Sequence, residues 1–254
     1  MKAAMGAMAA LFVATGCLPD DERPPPGELS IVAEASEATR DGVVDDDGAV
    51  YTFDLAALTL GTYLIGDDVC APYSFTYYDW LVDYTQPGPH KIGLLFGLGD
   101  CQAGYDSFAP DEVTVPGTGV GAGLAATMED ANLYVEGRAE RGDDEVAFRF
   151  RVYWPGALAA CRAVEGSPAP IVTSLESGDE RELALTIRFE EVVSVFTFDE
   201  LLQSDLDGDG VVTEPELNII SPGTDVVGEG LYAPAISHVV TARDGWVCPT
   251  TELY

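Results

Sequence analysis

The chain has 254 residues, with 44 Asp and Glu against 12 Lys and Arg and a formal net charge of −32. So acidic a surface repels nucleic acid, which excludes polynucleotide partners, and attracts cations. Apolar residues still make up 47% of the chain, enough for a core, so the charge decorates a globular surface and does not signal disorder.

The N-terminal stretch MKAAMGAMAALFVATGC joins one positive charge, Lys2, to an apolar run from Ala3 to Val13 and the small residues Ala14, Thr15 and Gly16. The run is shorter than the roughly 18–20 apolar residues of a spanning helix, so residues 1–16 are expected to be a signal peptide. Cys17 follows directly, and Ala-Thr-Gly-Cys resembles the lipobox of bacterial lipoproteins, with Ala14 where Leu is commonest. The resemblance implies cleavage before Cys17, diacylation of its thiol and a membrane partner through that anchor. Plain secretion is the alternative. Leu18 after the cysteine implies, by the same resemblance, the outer membrane or cell surface. Residues 17–28 are polar and proline-rich and are expected to form an extended tether.

Beyond the tether, apolar and polar residues alternate at the two-residue period of half-buried strands. Strands are expected at 30–35, 50–58, 62–65, 74–81, 92–96 and 113–115. DEVAFRFRVYW places Val146, Phe148, Phe150, Val152 and Trp154 on one face, with Arg149 and Arg151 on the other. With Leu133 and Val135 upstream and a turn at Gly142, Asp143 and Asp144, residues 132–154 read as a hairpin. ELALTIRFEEV sets Leu183, Leu185, Ile187 and Phe189 against Glu182, Thr186 and Arg188. Turns rich in Gly, Pro and Asp separate the runs, without βαβ spacing or internal repeat. The expected fold is mainly β: an antiparallel β-sandwich over residues 29–197, with a short helical segment over 198–254 packed on it. Helices are expected only in the C-terminal third, at 198–203, after Thr213 and at 234–243.

Besides Cys17 there are Cys70, Cys101, Cys161 and Cys248, far apart and without a C-x-x-C pair. This argues against a zinc ribbon or redox motif, and an even count in an exported chain points to two disulfides. Of three possible pairings, Cys70–Cys101 with Cys161–Cys248 is favoured.

The sharpest motif is SDLDGDGVVTEPEL, residues 204–217. Calcium takes about six to eight oxygens at loose geometry, and acceptors at every second residue of a tight loop can converge on it. Asp205, Asp207 and Asp209 occupy the first, third and fifth places of such a loop, and Gly210 the sixth, where the chain turns sharply. Val211 offers a carbonyl, Thr213 a hydroxyl and Glu216 a bidentate carboxylate, while apolar Val212 points inward. The loop is similar to the EF-hand loop, with FDELLQ as its entering helix, and the resemblance implies a calcium cofactor. Thr213 and Glu216 also satisfy a capping box, so a capped helix after an acidic turn is the metal-free alternative. One loop with a short exit helix suits a structural ion, not a switch. The order lipobox, acidic linker, β-rich region and calcium loop resembles bacterial envelope lipoproteins with one such loop. That resemblance implies a location and an ion, but no activity.

No G-x-S-x-G, H-E-x-x-H or G-x-x-x-x-G-K-[ST] motif is present, and the glycines of PGTGVGAG do not fit G-x-G-x-x-G. The favoured function is a noncatalytic binding or scaffolding role toward an envelope or extracellular partner. A secreted hydrolase of carbohydrate is the alternative, with the aromatic run Tyr73–Trp80 as a sugar-stacking surface. An envelope copper protein using His90, His238 and Met128 is a second.

Overall fold

A computed structural model describes residues 24–73, 78–117, 119–152, 156–158, 162–163, 172–220, 240–242 and 246–247. The signal segment, Cys17, residues 74–77 of one expected strand, Trp154, Cys161, Cys248 and residues 234–239, including His238, lie outside them.

The first strands are β1 (Gly27–Ala35), β2 (Val43–Val44), β3 (Val50–Ile65), β4 (Cys70–Pro72), β5 (Asp79–Asp83) and β6 (His90–Ser107). Next come β7 (Val115–Pro116), β8 (Leu133–Arg141), β9 (Asp144–Val152), β10 (Gly156–Leu158) and β11 (Arg162–Ala163). The last are β12 (Val172–Leu175), β13 (Glu180–Ile187), β14 (Val211–Thr213), β15 (Val240–Ala242) and β16 (Trp246–Val247). Short helices interleave as α1 (Glu37–Asp41), α2 (Leu124–Met128), α3 (Glu190–Val193), α4 (Phe198–Ser204) and α5 (Glu214–Ile220). None of these is long and apolar enough to cross a membrane.

The protein is mainly β, as expected. Its strands join into one mixed sheet, with the main path β11-β16-β15-β13-β1-β6-β3-β8-β9-β14, where two separate antiparallel sheets were expected. Among the described residues three pairs are parallel: β1 with β13, β5 with β7, and β14 with β9. Alternation marks which face a strand buries and is the same for either direction, so it carries no sign of these pairings.

The sheet curls on itself at β6. The backbone of Thr62 pairs with Tyr105, yet its hydroxyl comes within 3.4 Å of the Ile92 carbonyl in the other half of the same strand. A straight strand from Ile92 to Tyr105 would span about 40 Å, so β6 must bend. Gly99, at φ 98°, sits in that bend, where a Cβ would lie 2.0 Å from the Val69 carbonyl oxygen. Cys70 and Cys101 form the expected disulfide beside it.

The concave face collects Ile31, Leu58, Leu60, Val135, Phe148, Phe150 and Ile187 into the main core. On the opposite face Ala57, Leu81 and Tyr134 meet Leu124 and Met128 of α2 in a smaller cluster. The hairpin reading holds: β8 pairs with β9, Val146, Phe148, Phe150 and Val152 are buried, and Arg149 and Arg151 face out.

Other boundaries moved. The expected strands at 50–58 and 62–65 are one, β3. The tether ends earlier, because Glu28 already donates its N–H to the Asp179 carbonyl at 2.7 Å and β1 starts at Gly27. Residues 240–242, expected as helix, are strand β15, held by pairing with β13, which overrides the local helical period. Helix also appears outside the C-terminal third. α1 forms because Ser36 caps it, accepting the Thr39 N–H at 3.0 Å.

Candidate metal centre

α4 delivers the chain to the loop. Thr197 and Glu200 close a full capping box at its start, and Phe198 and Leu201 are fully buried in the core. Arg141 lies 4.6 Å above the Phe198 ring and pairs with Asp199. The loop then makes two left-handed turns, at Gly208 (φ 76°) and Gly210 (φ 83°), a conformation side chains resist. Backbone N–H groups draw the acids inward. Gly208 and Gly210 donate to Asp205 at 2.9 and 3.1 Å, Asp209 to Asp207 at 3.1 Å, and Val211 to Asp209 at 2.8 Å. One carboxylate oxygen from each of Asp205, Asp207 and Asp209 lies within 4.8 Å of the others.

Past Gly210 the chain enters β14, which pairs Val211 with Ala147, Val212 with Phe148 and Thr213 with Arg149. Val212 is fully buried, as its place in the motif requires. The lone loop is thus braced by the main sheet. Glu216 reaches back from α5: Oε1 accepts the Leu206 N–H at 3.2 Å, and Oε2 accepts the N–H and hydroxyl of Thr213 at 2.9 and 2.8 Å. The Thr213 N–H, then its hydroxyl, hold this carboxyl below the usual range. The three aspartates are therefore brought together, while Glu216 lies beside them, bonded to Thr213 and outside the set of converging oxygens.

This geometry fits a calcium ion. Ca–O bonds are about 2.3–2.6 Å, so oxygens around one ion lie within about 5 Å of each other. The N–H bonds do not exhaust the donors, because an ionised carboxylate offers about four lone-pair sites. Among the described residues no other three acidic, histidine or cysteine side chains converge in this way.

Among the described residues, His90 and Met128 do not come together. His90 packs its ring against Tyr84, centroids 5.6 Å apart, in the main core region, whereas Met128 sits in the smaller cluster. The aromatic run divides. Tyr73 donates its hydroxyl to the Pro24 carbonyl at 3.0 Å, while exposed Tyr78 and part-buried Trp80 line a groove with Leu94 and Phe96.

Sequence reasoning missed Asp79 and Asp106. Both pair with Gly61 of β3, one from β5 and one from β6, so they share a sheet face astride a residue with no side chain. They are 9% and 3% exposed, and the Oδ1 of each has no hydrogen-bond partner among the described residues. Burial pushes the Asp106 carboxyl up to about 6. Burial and the charge of Asp111 raise Asp79. The available signal was an aspartate among strand-forming residues in YYDWL and AGYDS, but only the register shows that both meet Gly61. Comparison with known proteins finds no matching family model, no matching curated protein and no matching solved structure.

Proposed function

We propose that the chain is an exported, lipid-anchored envelope protein with a noncatalytic binding or scaffolding role, and that its loop at 205–216 takes a structural calcium ion. The observation that carries this reading is the convergence of the Asp205, Asp207 and Asp209 oxygens within 4.8 Å, on a loop that ends in a strand of the main sheet. Like charges so close repel, and a divalent ion relieves that repulsion. The residues that would complete the set are Val211, through its carbonyl, Thr213 and Glu216. An ion there ties α4 to β14 and braces a local structure. Export is supported by the Cys70–Cys101 disulfide, since cytosolic thiols stay reduced. The lipobox resemblance at Cys17 supports the anchor, with Cys17→Ala expected to move the protein from the membrane to the soluble fraction.

The test of the ion is a thermal unfolding scan in about 10 mM calcium and again in excess chelator. Extracellular sites bind at about 10⁻⁴–10⁻³ M, so calcium adds about 1.4–2.7 kcal/mol. For a chain of this size the midpoint rises by about 3–10 °C. Asp207→Ala abolishes the rise. A midpoint indifferent to calcium overturns the assignment.

A further inference from the structure

Beside the loop, the outer face of the β8–β9 hairpin forms the floor of a groove of about 460 Å³. Register sets Glu136 opposite Arg149 and Tyr134 opposite Arg151 on that face. Thr127 of α2 and the β14–α5 junction, Thr213 to Pro215, form the walls. With only 12 basic residues against 44 acids in the chain, two neighbouring arginines in a concave site are notable chemistry. Ion pairing uses only part of each. Arg149 Nε donates to Glu136 at 2.8 Å, and Arg151 Nε faces Glu214 at 3.4 Å. Both of these contacts run through Nε, and both side chains are about half exposed, at 53% and 48%.

We infer that this groove binds a carboxylate-bearing saccharide, with the carboxylate on the terminal nitrogens of Arg149 and Arg151. Guanidinium forks match a planar carboxylate and hold it through paired N–H bonds. Glu136 and Glu214 cancel the two positive charges overall, which disfavours a dianion such as phosphate. The same two carboxylates are acceptors for hydroxyl groups, so the ligand that satisfies the whole set carries one negative charge and several hydroxyls. The β14–β9 register sets Thr213, at the end of the loop, against Arg149, so the acids of the loop pull on that guanidinium. A cation on the loop offsets that pull, so calcium strengthens saccharide binding; this coupling, unlike the groove itself, rests on the calcium reading above.

The test is titration calorimetry of the full mature chain with D-glucuronate, D-glucose and inorganic phosphate, in calcium and in chelator. Arg149→Met and Arg151→Met are run alongside, with their unfolding midpoints as the check on folding. Glucuronate is expected to bind at least tenfold more tightly than glucose or phosphate. Each substitution weakens it at least tenfold, and chelator weakens it two- to fivefold. Absence of glucuronate binding, equal binding in the arginine variants, or phosphate binding as tightly as glucuronate overturns the groove proposal. Arginine-dependent binding that ignores calcium, in a chain whose midpoint responds to calcium, removes the coupling. The same binding in a chain whose midpoint ignores calcium refutes the loop reading and leaves the groove standing.

Discussion

Asp106→Asn makes the buried carboxylates measurable. Asp106 is 3% exposed, its Oδ1 has no partner among the described residues, and burial pushes its carboxyl up to about 6 from 3.8 for the unperturbed group. The gap of about two pH units corresponds to about 3 kcal/mol. Because the folded value is the raised one, the native state holds the proton more tightly than the unfolded chain does. This contribution is therefore fully present below about pH 4 and is lost as pH rises through about 6. The amide cannot ionise, so the variant escapes that loss, but its N–H groups inherit the missing partner at a cost of about 1 kcal/mol. The variant should match or fall slightly below the parent at pH 4 and exceed it by about 2 kcal/mol at pH 7.5. Urea unfolding across that range, in chelator to silence the loop, reads the difference. A difference that does not change with pH refutes the reasoning, since it would mean that Asp106 ionises in the fold as freely as in the unfolded chain.

Replacing Cys70 and Cys101 by alanine frees a segment closed by a sequence separation of 31. The loop-entropy relation gives a loss of about 4 kcal/mol, read by urea unfolding, and a loss under about 1 kcal/mol would show that the sheet alone fixes the segment. Leu201→Ala empties a fully buried position where α4 meets the core, for about 2–5 kcal/mol in the same assay. A Cβ at Gly210 meets nothing within 4 Å, so the effect of Gly210→Ala is the left-handed backbone alone, about 1–2 kcal/mol. That loss should appear in chelator as well as in calcium. A loss seen only in calcium would place the cost in the ion site instead.

The features legible in the sequence are those whose partners lie close along the chain. The β8–β9 hairpin announces itself through Phe148 and Phe150 alternating with Arg149 and Arg151. The aspartate triad falls within five residues, and α4 carries its capping box at Thr197 and Glu200. What stayed hidden depends on distant partners. β1 lies parallel to β13 about 150 residues away, and Glu190 accepts from Ser36 at 2.6 Å and Thr39 at 2.8 Å across the same junction. No local period encodes such a meeting. The same holds for Asp79 and Asp106, joined only through Gly61, and for the groove, which needs β8, β9, α2 and the end of the loop together. The full curl of β6 depends on glycine backbone freedom that appears in sequence merely as a common residue.

β14 has one further consequence. Among the described residues it is the last strand on its side of the sheet, and it contributes three residues before Glu214 turns the chain into a helix. Without it, β9 would present an open row of amides and carbonyls to any extended segment that drifted past. A terminal strand this short, between Asp209 and Glu214, offers little to copy. Molecules crowded side by side are in this way kept from zipping together into a shared ladder along that border.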